Sequence, residues 1–289
     1  MKKVRKAIIP VAGFGTRFLP ITKAVPKEML PIVDIPTIEY IVKEAVDSGI
    51  EEILFVTNPY KKSIEDYFDH HYELEARLEE NHKDKQLESI LKPINMATYT
   101  FIRQGSPLGT GHAIKICKNF VQNEPFAILY GDDIIDSGVP CLNQMINMYE
   151  KYDCNVLCAQ KLSDEEIPSK GIIEYEDNDE LYIKRLVEKP KLEDAPSKFG
   201  TIGRYILKPE IFDELDKIEI KNGEYLLTDA FERLMKYQKF AGCKLDGTYY
   251  DIGNQLGYLK CNIDFSLKRD NIREGLKDYL NNKNILTNN

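Results

Sequence analysis

The feature that most limits what this chain can fold into is a rhythm of short apolar runs separated by helical patterns. Runs at residues 7–11, 53–57, 98–102, 126–130 and 155–159 are bounded by turn residues and several are rich in β-branched side chains, so they read as buried strands. Between them, residues 37–48, 61–68, 73–80, 111–120 and 141–152 carry helical periodicity, the first closing at Gly49. Strands that alternate with helices pair most readily as a mostly parallel sheet covered on both faces. After residue 159 the rhythm changes. Residues 171–175, 182–188 and 203–207 are strand-like with little helix between them, which predicts hairpins added on the far side of the sheet. Helix returns at 209–217 and 228–239, and residues 255–281 predict C-terminal helices ending in the polar tail NNKNILTNN. The expected fold class is α/β, a mixed, mostly parallel central sheet in one unit spanning 1–289.

Charge and cysteine usage narrow the function classes. A formal net charge of −8 opposes binding to polyanions, so neither a nucleic-acid polymer nor an anionic membrane is an expected partner. Any phosphate ligand therefore needs local positive charge. The six cysteines form no C-x-x-C pair, and Lys2, Lys3, Arg5 and Lys6 lead into one short apolar run unlike a secretory leader; reduced thiols and a cytoplasmic location are the expectation. The four histidines and the cysteines lack zinc-site spacing.

The segment VAGFGTRFLP (residues 11–20) follows the first predicted strand, and its glycines let backbone N–H groups come close to a ligand. A dinucleotide-binding loop would want glycine at position 18, where Phe18 stands, and a P-loop would want a G-K-S/T sequence that is absent. Instead Arg17 stands two residues beyond Gly15, and Lys27 follows within a stretch stiffened by Pro20, Pro26, Pro31 and Pro36, expected to run extended. Two cations on a rigid loop suit a triphosphate.

The run A-G-x-G-T-R-x-L-P-x-T-K-x-x-P-K-E-M-L-P over residues 12–31 resembles the leading motif of the sugar-nucleotide pyrophosphorylases, and P-K-E-M-L-P resembles their bacterial UTP-glucose-1-phosphate uridylyltransferase branch. The resemblance implies a GT-A-like, Rossmann-like nucleotidyltransferase fold, with a nucleotide-binding part at about 1–160 and a sugar-binding and C-terminal helical part at about 161–289. It implies that Ala12 and Gly13 meet the uracil, with Gly15 and Thr16 in the same loop, while Arg17 and Lys27 face the phosphates.

Further motifs follow in order. RQGSPLGTGHAI (103–114) puts Gln104 at a strand end, where ligands of open α/β sheets bind. Its carboxamide has one acceptor and two donors, enough to pair the imide N–H and a carbonyl of uracil. By resemblance Gly109 lies against the base. AILYGDDIID (127–136) ends a strand in Asp132 and Asp133, whose side chains should diverge so that one enters the site. The resemblance makes Asp132 a Mg²⁺ ligand, partnered by Asp251 of YYDIGN (249–254); magnesium takes oxygen ligands and readily shares them with phosphates. On the sugar side, Glu188 of VEKP (187–190) suits sugar hydroxyls and Lys189 a sugar phosphate, and Gly171 of SKGII belongs to the same resemblance.

The implied reaction joins UTP and glucose 1-phosphate into UDP-glucose and pyrophosphate by in-line displacement at the α-phosphorus, in a homodimer or homotetramer. Like charges 4 Å apart cost roughly 4 kcal/mol at an effective dielectric of about 20. Arg17, Lys27, Lys189 and Mg²⁺ would offset this, so Arg17, Lys27, Asp132 and Lys189 are the catalytic candidates. Thr110 and Leu226 depart from the branch pattern and bear on fine specificity. A related dTDP-glucose or GDP-sugar pyrophosphorylase, and an idle sugar-nucleotide-binding subunit, remain as alternatives.

Overall fold

The computed structural model describes residues 2–177 and 179–283; residues 284–289 of the polar tail lie outside the described residues. In chain order the strands are β1 (Lys6–Pro10), the short arms β2 (Pro31–Ile32) and β3 (Ile35–Pro36), β4 (Glu52–Thr57), β5 (Thr98–Arg103), β6 (Phe126–Leu129), β7 (Asp133–Asp136), β8 (Asn155–Lys161), β9 (Gly171–Glu176), β10 (Asp179–Glu188), β11 (Phe199–Leu207), β12 (Phe240–Lys244) and β13 (Thr248–Asp251). Nine of them form one sheet in the order β5-β4-β1-β6-β11-β8-β12-β10-β9. The neighbours from β5 to β6 are parallel, β11 runs antiparallel to both β6 and β8, and β12 lies parallel to β8.

Alternate side chains of each central strand enter opposite cores, as the two-residue period of a strand demands. Ile9, Phe55, Leu129 and Cys158 face one core, while Ile8, Leu54, Ile128 and Leu157 face the other. This two-sided burial is why those strands read as continuous apolar runs. Helix α1 (Thr37–Asp47) covers the first face through Ile38, Ile41, Val42 and Ala45, joined by Leu142, Met145 and Tyr149 of the helix Cys141–Tyr152. On the second face, Leu227, Ala230, Phe231 and Leu234 of the helix Leu227–Leu234 form the matching stripe.

Three expectations change. The late strands do not all add to the far side, because β11 inserts between β6 and β8 in the middle of the sheet. Its buried Arg204 pins it there, with the guanidinium on the Glu44 carboxylate at 2.8 Å and on the Asp133 carbonyl at 2.7 Å. The proline-punctuated stretch is extended only at its end, where Pro31 and Pro36 lie in β2 and β3; before that it winds through three 3-10 turns, Thr16–Phe18, Ile21–Lys23 and Lys27–Met29. The helix expected at 111–120 begins earlier and breaks, as Gly109–Lys115 and Lys118–Val121. Residues 255–281 are helical as expected, in Gln255–Leu267 and Asp270–Asn282. No helix among the described residues is long and apolar enough to cross a membrane.

Candidate active site

The carboxyl ends of β1, β4, β5 and β6 open on one side, as they must in a parallel arrangement, and the loops that leave β1, β5 and β6 line a cavity of about 440 Å³. Ala12, Gly13, Gly15, Thr16, Lys27, Gln104, Gly109 and Asp132 all border it. The glycine loop is held from behind. Asn58 donates to the Ala12 carbonyl at 2.6 Å, and Thr22 donates to that of Gly15 at 2.8 Å. Gly15 sits at φ +64°, the left-handed region where a side chain is strained, and a β-carbon there would press on Thr22 at 3.2 Å.

A second cavity of similar volume, about 440 Å³, is lined by Arg17, Asp133, Lys170, Gly171, Glu188, Thr201, Asp251 and Asn254 among others. The two cavities share Thr110, Tyr130 and Asp132. Asp132 is thus the carboxylate at their junction.

Asp132 lies in the turn before β7 and Asp133 opens that strand; both border the second cavity, where one alone was expected to enter the site, and the structure gives each a different task. Asp132 pairs with the ammonium of Lys27. Burial pushes its carboxyl up, yet the charge and hydrogen bond of Lys27, with Arg17 beyond, more than offset this and hold it below its ordinary range. Asp133 also borders the second cavity, but both its oxygens are taken, by the Gly203 N–H at 2.8 Å and the Tyr249 hydroxyl at 2.7 Å. Burial and the neighbouring Asp132 charge push the Asp133 carboxyl up. Lys27 keeps its proton: burial lowers it, but Asp132 and Glu28 outweigh that and raise it.

Asp251, at the end of β13, completes the junction. Its Oδ2 meets Lys170 Nζ at 3.2 Å and its Oδ1 accepts the Gly253 N–H at 3.1 Å. The local sequence explains this placement. Asn254 caps the following helix by accepting from the Gly257 N–H at 2.9 Å, while its amide donates to the Asp251 carbonyl at 2.9 Å. A β-carbon built on Gly253 would lie 2.7 Å from Asp132 Oδ2, 3.0 Å from Asp251 Oδ1 and 3.3 Å from Arg17 Nη1. Glycine at this position lets two carboxylates and a guanidinium crowd around one point. No group of three or more His, Cys, Asp or Glu among the described residues could hold a metal alone. Two converging carboxylates fit a hard cation that takes its remaining ligands from phosphate and water.

The sugar-side residues are brought together unevenly. Gly171 opens β9 directly opposite Glu188 at the end of β10, and a β-carbon on Gly171 would touch Glu188 Oε2 at 3.3 Å. Lys189 stands apart: its backbone is left-handed at φ +47°, its side chain is 62% exposed, and it borders neither cavity. Besides Arg17, the cation lining the second cavity is Lys170, with its side chain 21% exposed and bonded also to the Tyr249 hydroxyl at 3.1 Å. Sequence reading stopped one residue short of it, taking Gly171 from SKGII. It also passed over Glu28, buried against Lys61 behind Lys27; a charged pair inside an apolar-bounded motif was the available signal.

The nucleotidyl transferase family pattern matches residues 6–266. The UTP-glucose-1-phosphate uridylyltransferase 1 of Staphylococcus saprophyticus is 44% identical over 285 residues, covering 98% of this chain and 99% of that protein. The Bacillus subtilis UTP-glucose-1-phosphate uridylyltransferase is also 44% identical, with 97% of each chain covered. The chain belongs to the nucleotidyl transferase family, in its UTP-glucose-1-phosphate uridylyltransferase branch. Among solved structures of that branch, the UTP-bound enzyme of Acinetobacter baumannii superposes with a TM-score of 0.89 at 35% identity, over 96% of this chain and 98% of the other. In this chain the glycine loop and the Gly109 loop line the first cavity, Asp251 and Asn254 line the second, and the two cavities adjoin at Asp132.

Proposed function

We infer that this chain makes UDP-glucose and pyrophosphate from UTP and glucose 1-phosphate, with the first cavity taking the nucleotide and the second the sugar phosphate. The observation that carries this reading is the junction at Asp132, where Lys27, Arg17 and Asp251 surround the point at which two anionic substrates would meet. A phosphate oxygen of glucose 1-phosphate attacks the α-phosphorus of UTP, the new P–O bond forms, and the bond to the β-phosphate breaks as pyrophosphate leaves. The attacking oxygen is already ionised near neutral pH, so no protein base is required. The chain's own contribution is positioning and charge.

Arg17 and Lys27 face the triphosphate, and backbone at Ala12 and Gly13 with Gln104 and Gly109 holds the uracil. Gly171 and Glu188 shape the sugar side, where Lys170 joins Lys189 as a candidate for the sugar phosphate. Asp132 and Asp251 are the residues that would hold Mg²⁺, which, when bound, withdraws charge from the reacting phosphate oxygens. The division between an early nucleotide part and a later sugar part is supported by the first lining, where Glu224 is the one later residue, and less by the second, which Arg17, Thr110, Tyr130, Asp132 and Asp133 of the early part also reach. The six cysteines are buried free thiols, which supports a cytoplasmic setting.

Pyrophosphate release measured across UTP, dTTP, GTP and CTP with glucose 1-phosphate and galactose 1-phosphate tests the reading. UTP with glucose 1-phosphate should be the most efficient pair. A preference for dTTP or GTP, or no release with any pair, would overturn it.

A further inference from the structure

Resting on that reading, the geometry points to His112 as a positioning residue that locks the Gln104 carboxamide so that its oxygen alone is offered to the base, selecting a ring with an imide N–H. Gln104 is buried at the end of β5, its own N–H bonded to the Thr57 carbonyl at 2.8 Å, so the side chain starts from a fixed point. Its Nε2 lies 3.1 Å from the Gly109 carbonyl and 3.1 Å from His112 Nδ1. A carbonyl can only accept, which settles which end of the carboxamide is the nitrogen. The second hydrogen of that nitrogen then needs an acceptor, and only an unprotonated Nδ1 provides one. Both donors are therefore spent on the protein. The remaining polar atom, Oε1, has no protein hydrogen-bond partner among the described residues, on a side chain that lines the first cavity.

A lone acceptor reads the base differently from a freely turning amide. The N3–H of uracil donates to it, whereas N3 of cytosine is an acceptor and is repelled. The surroundings keep the imidazole in place and neutral. Its ring stacks on Tyr225 with centroids 6.1 Å apart, and the Gly111 N–H donates to the Tyr225 carbonyl at 2.9 Å, tying the helix to the segment before Leu227–Leu234. The charged groups around it are Lys115 on its own helix, which lies over the same Tyr225 ring and pairs with Asp216, and Glu224, which packs on Gly109. Burial, and then the charge of Lys115, push His112 below its ordinary value of 6.5. At neutral pH Nδ1 is free to accept. Protonation would make it a donor, set it against Nε2 and turn the carboxamide over.

The test is the ratio of kcat/KM for UTP to that for CTP, in which titration of the sugar phosphate and the triphosphate cancels. In the native enzyme the ratio should hold above pH 6.5 and fall at least about tenfold as His112 protonates below it. His112→Leu, which removes the acceptor, should lower the ratio about tenfold at pH 7.5, mainly through the KM for UTP. His112→Asn, which keeps an acceptor near the same place, should recover most of it. A flat native ratio between pH 5 and pH 8, or an Asn variant as unselective as the Leu variant, would overturn the inference, and the native profile needs no variant to fold. A native enzyme with no preference for UTP would instead remove the functional reading beneath it.

Discussion

The two cavities are equal in size and differ in how the chain builds them. The nucleotide side draws on short runs of mostly small residues: Ala12, Gly13, Gly15 and Thr16 come from one loop, and Gly109 and Thr110 from another, with Lys27, Gln104 and Asp132 beside them. The sugar side is made of side chains from strands distant in sequence, with Lys170, Glu188, Thr201 and Asp251 arriving from separate elements. A loop whose backbone must approach a ligand needs glycines at fixed positions and so writes a local motif. A site assembled from single side chains leaves a weaker mark, here confined to the D-x-G-N segment around Asp251 and Asn254. Their junction, where Asp132 serves both, is the place at which substitutions should be felt most.

Removing a carboxylate from the junction should have the largest effect. Asp132→Ala or Asp251→Ala is expected to lower kcat by on the order of 10³-fold or more, since several kcal/mol of charge stabilisation depend on the cation they would hold. An unchanged circular dichroism spectrum would confirm that the fold survives, and retained turnover in both variants would remove the metal assignment. Behind the nucleotide loop, Lys61→Met should act on stability instead. It leaves the Glu28 carboxylate buried without its partner, a loss of about 3 kcal/mol by analogy with other broken buried pairs, read by urea denaturation. Burial already pushes the Glu28 carboxyl up and the Lys61 ammonium down, so the cost should be partly recovered in acid, where Glu28 takes up a proton. An unshifted denaturation midpoint would show that the pair contributes nothing net.

The sugar side offers a smaller and sharper contrast. Lys170→Ala should raise the KM for glucose 1-phosphate about tenfold while leaving the KM for UTP within about twofold, because the side chain lines only the second cavity. Lys189→Ala, at a largely exposed side chain, should have the smallest effect of the set, below about threefold. If the Lys189 variant proves the more damaging, the exposed lysine must turn inward when substrate binds, and the assignment of the sugar phosphate moves to it.

The legibility of the sequence followed the same division. Strands buried on both faces were readable because their central residues are apolar on both sides, as at Ile8 and Ile9, which serve opposite cores. The glycine loop and the D-x-G-N segment were readable because close approach and helix capping restrict residue type, as Gly253 and Asn254 demonstrate. The central insertion of β11 was not readable. Strand order depends on contacts such as Arg204 with Glu44, 160 residues apart in the chain, and no local pattern reports them. Lys170 was missed for a related reason: a lone lysine before a strand looks like surface charge until Asp251 and Tyr249 arrive beside it.

A crystal structure with UDP-glucose bound tests the central claim most directly. The uracil should occupy the first cavity beside Gln104, the glucose should lie in the second against Glu188, and the diphosphate should cross the junction beside Asp132. A product molecule held wholly within one cavity, or bound away from Asp132, would contradict the account.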